Sequence, residues 1–240
     1  SGRYGNGDVQ WMTAGAGLQH AEMFPLLQRE KENPLELFQI WLNLPKANKF
    51  AKPHYKMLWA EDIPVHKHHD ENGKLTEITV IAGQLNDAKP PDPAPESWAA
   101  NPENEVAIWL IKIEAGATWE IPAASPELNR SLYFYRGSEI KMAGIPVKDY
   151  HAAQLLPDEP IILENGVDDA FLLMLQGKPI AEPVVQHGPF VMNTPMEINE
   201  AIRDYQRTQF GGWPWPEPDH VHSHDKGRFA KYADGEVEER

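Results

Sequence analysis

The stretch that decides the fold is GDVQWMTAGAGLQHAEM, which occupies residues 7–23. Its closely spaced glycines predict a tight turn, because glycine adopts backbone conformations that other residues avoid. A short strand is predicted after the turn, and alternate residues of a strand share a face, so His20 and Glu22 would point the same way. An imidazole beside a carboxylate suits a divalent ion such as Fe²⁺, Mn²⁺ or Zn²⁺. The alternative is a His–Glu hydrogen bond on a surface strand.

Short apolar runs, separated by Gly, Pro, Asn and Asp, continue along the rest of the chain. They occupy residues 35–44, 78–82, 106–113, 131–135, 160–163 and 171–175. In the first run the candidates for burial are Leu35, Leu37, Ile40 and Leu42. Short strands at close spacing, with turn residues between them, are typical of an all-β sandwich or barrel.

One helix is predicted where Thr194, Pro195 and Glu197 form a capping box with proline at the first helical position. The apolar residues that follow recur at helical spacing, at Ile198, Ala201, Ile202 and Tyr205. Two other segments are predicted as loops, residues 66–73 (HKHHDENG) and residues 89–95 (KPPDPAP). After Gly212 the polar, proline-rich sequence predicts an extended surface tail.

The charge and composition of the chain exclude several classes of function. The 240 residues include 22 basic and 36 acidic side chains, which gives a formal net charge of −14. An acidic surface repels phosphate groups, so we expect no direct nucleic-acid binding and no association with an anionic membrane. There is no cysteine, so any metal must be held by His, Asp, Glu or other oxygen donors. No apolar run approaches the ~20 residues of a membrane helix and no signal peptide is visible, so we expect a cytoplasmic protein.

Two separated blocks of the chain resemble the pirin family. Residues 7–23 closely resemble the second half of the pirin signature, and residues 175–185 (LQGKPIAEPVV), 188–194 (GPFVMNT) and 204–206 (DYQ) resemble the conserved end of the pirin C-terminal domain. The resemblance implies an all-β fold of two antiparallel cupin (jelly-roll) barrels with few short helices. It also implies one metal, in the N-terminal barrel.

The resemblance predicts how the chain is divided. Residues 1–53 would be the remaining part of the N-terminal cupin barrel, residues 54–193 the C-terminal cupin barrel, and residues 194–240 a C-terminal helix with a polar, proline-rich tail. We place the first boundary at Pro53, where a proline interrupts the strand pattern. The first barrel is expected to be incomplete, because the upstream His-Pro-His-Arg-Gly motif of pirins is absent and no histidine precedes His20.

The resemblance also assigns the candidate site residues. In pirins three histidines and one glutamate hold the metal, and two of those histidines belong to the upstream motif. Carried over to this chain, the remaining two ligands are His20 and Glu22, and Glu22 is also the candidate catalytic base. The implied cofactor is Fe²⁺, one ion per full-length chain, which would be absent from this chain if two histidine ligands are missing.

The other histidines are weaker ligand candidates. His66 and His68 alternate, but their polar, turn-like surroundings favour a solvated loop over a ligand pair. His151 is the only histidine between residues 106 and 175, so no metal site is expected in the second barrel. A further alternating set lies in the tail, at His220, His222 and His224. Such tracts bind nickel or zinc adventitiously.

Family resemblance implies three functional hypotheses. The first is an enzyme that opens the ring of a flavonol or similar small aromatic substrate with O₂, as a quercetin 2,3-dioxygenase does. The second is an iron-dependent regulatory protein that binds a transcription factor or a metabolic enzyme, and the acidic surface would suit a basic protein partner. The third is an inactive fragment with a broken metal site. A monomer is expected, because pirins are generally monomers.

Overall fold

The computed structural model describes residues 1–23, 26–218, 221–232 and 234–240. Strands dominate these residues, and the all-β prediction is confirmed. The strands are β1 (Gly2–Arg3), β2 (Val9–Thr13), β3 (His54–Leu58), β4 (Val65–His69), β5 (Leu75–Ala82), β6 (Ala107–Ile113), β7 (Thr118–Ile121), β8 (Asn129–Arg136), β9 (Glu139–Met142), β10 (Ile145–Lys148), β11 (His151–Leu155), β12 (Ile161–Asn165), β13 (Ala170–Gly177), β14 (Val185–His187), β15 (Phe190–Met192), β16 (Phe229–Lys231) and β17 (Val237–Glu239). The α-helix described, α1, spans Pro195–Thr208, and short 3₁₀ turns occupy Lys46–Asn48, Trp98–Ala100, Pro102–Asn104 and Gln209–Gly211. Within the described ranges, no helix combines the length and apolar character needed to cross a membrane.

Contacts divide the chain into two compact units. Unit 1 comprises Ser1–Met57, Ala94–Ser97 and Ile180–Arg240, and unit 2 comprises Leu58–Pro93 and Trp98–Pro179. The sequence-based division at residues 53 and 193 stays a prediction. The contacts differ from it in that they group residues 180–240 with the N-terminal residues.

Unit 2 consists of two antiparallel sheets around one core. The six-stranded sheet has the order β11-β8-β13-β6-β5-β4, and the four-stranded sheet has the order β10-β9-β12-β7. Their inward side chains form a single hydrophobic cluster, which includes Ile78, Trp109, Leu132, Ile140 and Leu163. This cluster draws residues from both sheets, so burial of apolar surface between the sheets is the main stabilising term of the unit.

The strands of unit 2 follow the predicted apolar runs. Residues 78–82, 106–113, 131–135, 160–163 and 171–175 fall on β5, β6, β8, β12 and β13, with bounds that differ by a few residues. In β12 the period of two is visible, because Ile161 and Leu163 are buried while Ile162 between them is 48% exposed. These runs were predictable because each strand has one face in the core or is covered on both faces.

The prediction of a buried strand at residues 35–44 is wrong. These residues form no strand, and the side chains of Leu35, Leu37 and Ile40 are 65%, 51% and 37% exposed, whereas Leu42 is partly buried. An apolar, alternating segment becomes a strand only when a neighbouring strand accepts its backbone hydrogen bonds and a facing layer covers its side chains. No described strand pairs with this segment, and residues 35–41 lack a layer that covers their side chains.

Unit 1 contains a sheet that joins the two ends of the chain, so the prediction of an extended surface tail is wrong in part. The strand order is β1-β16-β17, with Gly2 opposite Ala230 and Arg3 opposite Phe229. Phe229 and Ala230 are both buried. The sequence analysis did not predict this short strand, because the residues around it are polar and its partner strand lies more than 200 residues away in the sequence.

Helix α1 confirms the predicted capping pattern. The Thr194 hydroxyl accepts from the Glu197 backbone N–H at 3.2 Å, and the Glu197 carboxylate accepts from the Asn193 backbone N–H at 3.1 Å. Lys46 Nζ lies 3.1 Å from the same carboxylate. The helix packs on β14 and β15, and Ile198 of the predicted apolar stripe is buried.

Candidate functional site

The candidate ligands follow a turn that requires glycine. The Gly17 N–H donates to the Ala14 carbonyl, and the Ala16 N–H donates to the Ala51 carbonyl, each at 2.9 Å. Gly15 has φ +52°, and a Cβ placed on it would lie 2.0 Å from the Ala51 oxygen, so no larger residue fits. The predicted turn is therefore confirmed, and it sets the direction of the residues that carry the candidate site.

His20 and Glu22 lie close together, although not on a strand. Residues 17–23 have no regular structure, so the strand predicted here is wrong. The sheet partner that a strand needs is not present beside this segment in the described part of the chain. The His20 Nδ1 and Glu22 Oε1 atoms are nevertheless 3.8 Å apart, with side chains that are 43% and 27% exposed. This separation is too long for a hydrogen bond. The imidazole nitrogen and the carboxylate oxygen therefore lie side by side without bonding to each other.

Tyr4 is an additional polar residue near Glu22. Burial raises the pKa of Tyr4 to about 12, and the negative charge of Glu22 adds to the rise. The Tyr4 hydroxyl donates to Gln10 Oε1 at 3.4 Å, and Gln10 belongs to β2. Sequence analysis did not identify Tyr4, since no motif marks it and its approach to Glu22 depends on how the chain folds.

The side chains of His20 and Glu22 are chemically suited to part of a metal site. One imidazole nitrogen and one carboxylate are suitable ligands for a divalent transition ion. Across residues 1–23, 26–218, 221–232 and 234–240, no group of three His, Asp or Glu side chains could hold an ion together. The described residues alone therefore do not form the four-ligand site that the pirin resemblance implies. The assignment of His20 and Glu22 as ligands stays a prediction.

The histidines of the tail do not form a metal site among the residues described. His220 lies outside the described residues. The His222 ring packs edge-on against Phe229, with 4.9 Å between the ring centres, and His224 Nδ1 lies 3.3 Å from Asp225 Oδ1. His222 thus packs against an aromatic ring while His224 lies beside a carboxylate.

The loop predicted at residues 66–73 is wrong for its first half. Val65–His69 form β4, which pairs antiparallel with β5, and only the following residues make a turn. The Asp70 carboxylate accepts from the backbone N–H groups of Asn72 and Lys74, which closes that turn. The polar side chains suggested a loop. An edge strand tolerates polar residues, however, because no neighbouring strand covers its outer edge, which faces solvent.

Comparisons with known proteins identify relatives of the chain. A family model described as pirin matches residues 1–42, and one described as the pirin C-terminal cupin domain matches residues 108–211. A Vibrio cholerae protein provisionally named quercetin 2,3-dioxygenase is 39% identical over 209 residues, which cover 87% of this chain and 69% of the relative. Human pirin is 31% identical over 217 residues, which cover 88% of this chain and 68% of that protein.

A solved structure agrees with these relatives. The crystal structure of a quercetin 2,3-dioxygenase from Acinetobacter baumannii matches with a TM-score of 0.64 and 27% identity, over 85% of this chain and 67% of that one. The chain thus spans about two thirds of the length of the proteins it matches. Together with the pirin C-terminal match, this structure confirms the predicted all-β cupin fold.

Proposed function

Because this chain belongs to the pirin family of cupin proteins, we propose that His20 and Glu22 are two ligands of a pirin-type metal centre with quercetin 2,3-dioxygenase-type activity. The proposed substrates are O₂ and a flavonol or similar small aromatic molecule. The aromatic substrate would lose one ring carbon as carbon monoxide and take up both oxygen atoms of O₂. The observation that carries the proposal is the 3.8 Å approach of His20 and Glu22 within the segment that the pirin model matches.

The two side chains would have different roles. His20 would contribute a neutral nitrogen ligand, and Fe²⁺ is the proposed ion. Glu22 would contribute a carboxylate oxygen and accept the proton of the substrate hydroxyl, for which a base must lie within hydrogen-bond reach. The remaining two ligands of the family's set are histidines of a motif that these 240 residues do not contain. The chain by itself is therefore proposed to bind iron weakly.

Elemental analysis of iron and zinc, with the intact mass measured on the same sample, tests the proposed site. We expect low occupancy in the 240-residue chain and close to full occupancy after a segment with the His-Pro-His-Arg-Gly motif is joined to it. In that longer protein, His20→Ala and Glu22→Gln should each reduce the iron content. Full occupancy that survives both substitutions would show that other residues hold the ion, and the proposed ligands would be wrong.

Turnover of quercetin by the iron-loaded longer protein tests the proposed reaction. Carbon monoxide release and O₂ uptake should occur together and in equal amounts. Glu22→Gln should abolish both, because the substitution removes the carboxylate that accepts the proton. Glu30→Gln is the matched control, since it makes the same chemical change at an exposed carboxylate and should leave turnover intact. Undiminished turnover by Glu22→Gln would refute the role of Glu22.

A regulatory function is the second candidate, and the net charge of −14 favours it. A surface of this charge attracts basic proteins at low ionic strength. The regulatory proposal predicts that a transcription factor or metabolic enzyme is captured in one iron oxidation state and released in the other. Capture that is equal with and without metal would argue against it, and quercetin turnover without iron-dependent capture would favour the enzyme.

A further inference from the structure

The register of β4 against β5 places two histidines on one face. Strand β4 ends the six-stranded sheet of unit 2, with His66 opposite Ile78 and His68 opposite Thr76. Directly opposed residues of antiparallel strands point to the same side of the sheet. Ile78 and Thr76 are both fully buried, so His66 and His68 lie on the inner side of the sheet.

The other residues of β4 point outward. Val65, Lys67 and His69 are exposed, whereas His66 and His68 between them are partly covered. Lys67 Nζ lies 3.1 Å from Glu77 Oε1 on the neighbouring strand, which fixes the outer face. Successive residues of a strand rise by about 3.3 Å, so the Cβ atoms of His66 and His68 are roughly 6.6 Å apart. Two imidazoles at this spacing are able to converge on one ion, with metal–nitrogen distances of about 2.0–2.1 Å.

The surroundings of the two rings suit a bound cation. The side-chain amide nitrogen of Asn86 lies 3.3 Å from His66 Nε2. With the Asn86 amide turned by 180°, its oxygen would accept from Nε2–H and leave Nδ1 to bind metal, as in sites where a ligand histidine is oriented by a second residue. The Asp70 carboxylate, which interacts electrostatically with His68, adds negative charge nearby. The Thr76 hydroxyl, opposite His68, is buried without a hydrogen-bond partner.

We propose that His66 and His68 form a two-histidine site for a divalent transition ion, of the class of Zn²⁺, Ni²⁺ or Cu²⁺, on the edge strand of unit 2. Imidazole ligands select these ions over Mg²⁺ and Ca²⁺. Water completes the coordination, because the described residues place no third His, Asp or Glu beside the pair to hold an ion. The site is therefore open and exchangeable, and it is independent of His20 and Glu22.

Calorimetric titration of the 240-residue chain with Zn²⁺ tests this site. We expect a binding step that is lost in His66→Ala and in His68→Ala and that remains when the tail histidines, His220, His222 and His224, are all replaced by alanine. The control is His69→Ala, which removes the adjacent histidine from the outer face of the same strand and should retain the step. His20→Ala should also retain it, which separates this site from the one proposed for iron. A titration in which His66→Ala and His68→Ala both match the unsubstituted chain would overturn the proposal.

Electron paramagnetic resonance of the Cu²⁺-loaded chain gives a second readout that does not depend on stability. The spectrum should show nitrogen coupling from two imidazoles, reduced to one by either single substitution. Asn86→Ala should weaken Zn²⁺ binding by roughly tenfold, the lower end for loss of a residue that orients a ligand. Circular dichroism of each variant checks that the chain as a whole is still folded. A spectrum without imidazole coupling in the folded, unsubstituted chain would refute the site.

Discussion

The Asp8 carboxylate and the Arg228 guanidinium are separated by 220 residues and form a two-point ion pair, at 2.8 Å from Nε to Oδ2 and 2.6 Å from Nη2 to Oδ1. The Asp8 side chain is fully buried and that of Arg228 is 26% exposed. Arg228 directly precedes β16, whose residues pair with β1. The pair therefore connects the signature segment at residues 7–23 to the last strands of unit 1.

Asp8→Ala should destabilise the chain by about 3–5 kcal/mol, because it leaves a partly buried guanidinium without its counter-charge. Urea unfolding measures the change in the free energy of unfolding. The matched control is Asp204→Ala, which removes the partner of Arg207 at 2.7 Å on an exposed surface. That pair should contribute at most about 0.5 kcal/mol. Equal losses in the two variants would contradict the distinction between a buried and an exposed pair.

Two neighbouring residues of β12 should respond differently to the same truncation. Leu163 is fully buried in the core of unit 2, so Leu163→Ala should cost about 2–5 kcal/mol. Ile162 points to the opposite side of the sheet and is 48% exposed, so Ile162→Ala should cost about 0.5 kcal/mol. Chemical denaturation of both variants checks the prediction. A larger loss for Ile162→Ala would mean that the assigned strand faces are inverted.

The start of α1 should depend on its capping hydroxyl. Thr194→Ala removes the acceptor of the Glu197 N–H and should cost about 1 kcal/mol. Thr194→Ser keeps the hydroxyl and should restore most of the loss. Met196→Ala, in the same turn but with a side chain that is 74% exposed, serves as the control and should be nearly neutral. The prediction fails if Thr194→Ser is as unstable as Thr194→Ala.

Unit 1 should lose stability at alkaline pH. Burial raises the pKa of Tyr4 from 10.0 to about 12, and burial raises the pKa of Tyr55 as well. A phenol with a raised pKa stays protonated in the folded state, so the stabilisation is complete below pH 10.0 and is lost as pH rises through the folded pKa. Unfolding measured across this range, with phenolate absorbance, should show the loss. Tyr4→Phe should reduce its pH dependence, and an unchanged profile would contradict the assignment.

The predictions from sequence succeeded where local pattern and tertiary environment agree. The runs that became β5, β6, β8, β12 and β13 each lie in a sheet of unit 2, so their apolar residues face a core or covering layers. The capping residues of α1 act within four positions of one another, so their function is encoded locally. The turn at Gly15 is likewise local in sequence, although its close approach to Ala51 became visible only in the fold.

The failures share one physical cause, which is that strand formation depends on a pairing partner that lies outside the segment itself. Residues 35–44 carry a strand-like pattern but have no pairing strand among the described residues, and residues 35–41 are exposed. Residues 66–69 and 229–231 carry polar or short patterns and become strands, because β5 and β1 provide backbone partners. His20 and Glu22 lie 3.8 Å apart even though the predicted strand does not form, because only one residue separates them in the sequence.

The sequence by itself determined that the chain is an all-β protein of the pirin family and that His20 and Glu22 are its candidate ligands, because these conclusions rest on short motifs and on alternation within single strands. Only the tertiary structure decided the pairing of β1 with β16, the burial of Asp8 against Arg228 and the inward orientation of His66 and His68. These relationships depend on strand register. Register is set by the burial of side chains from several elements at once, and no single segment of the chain contains that information.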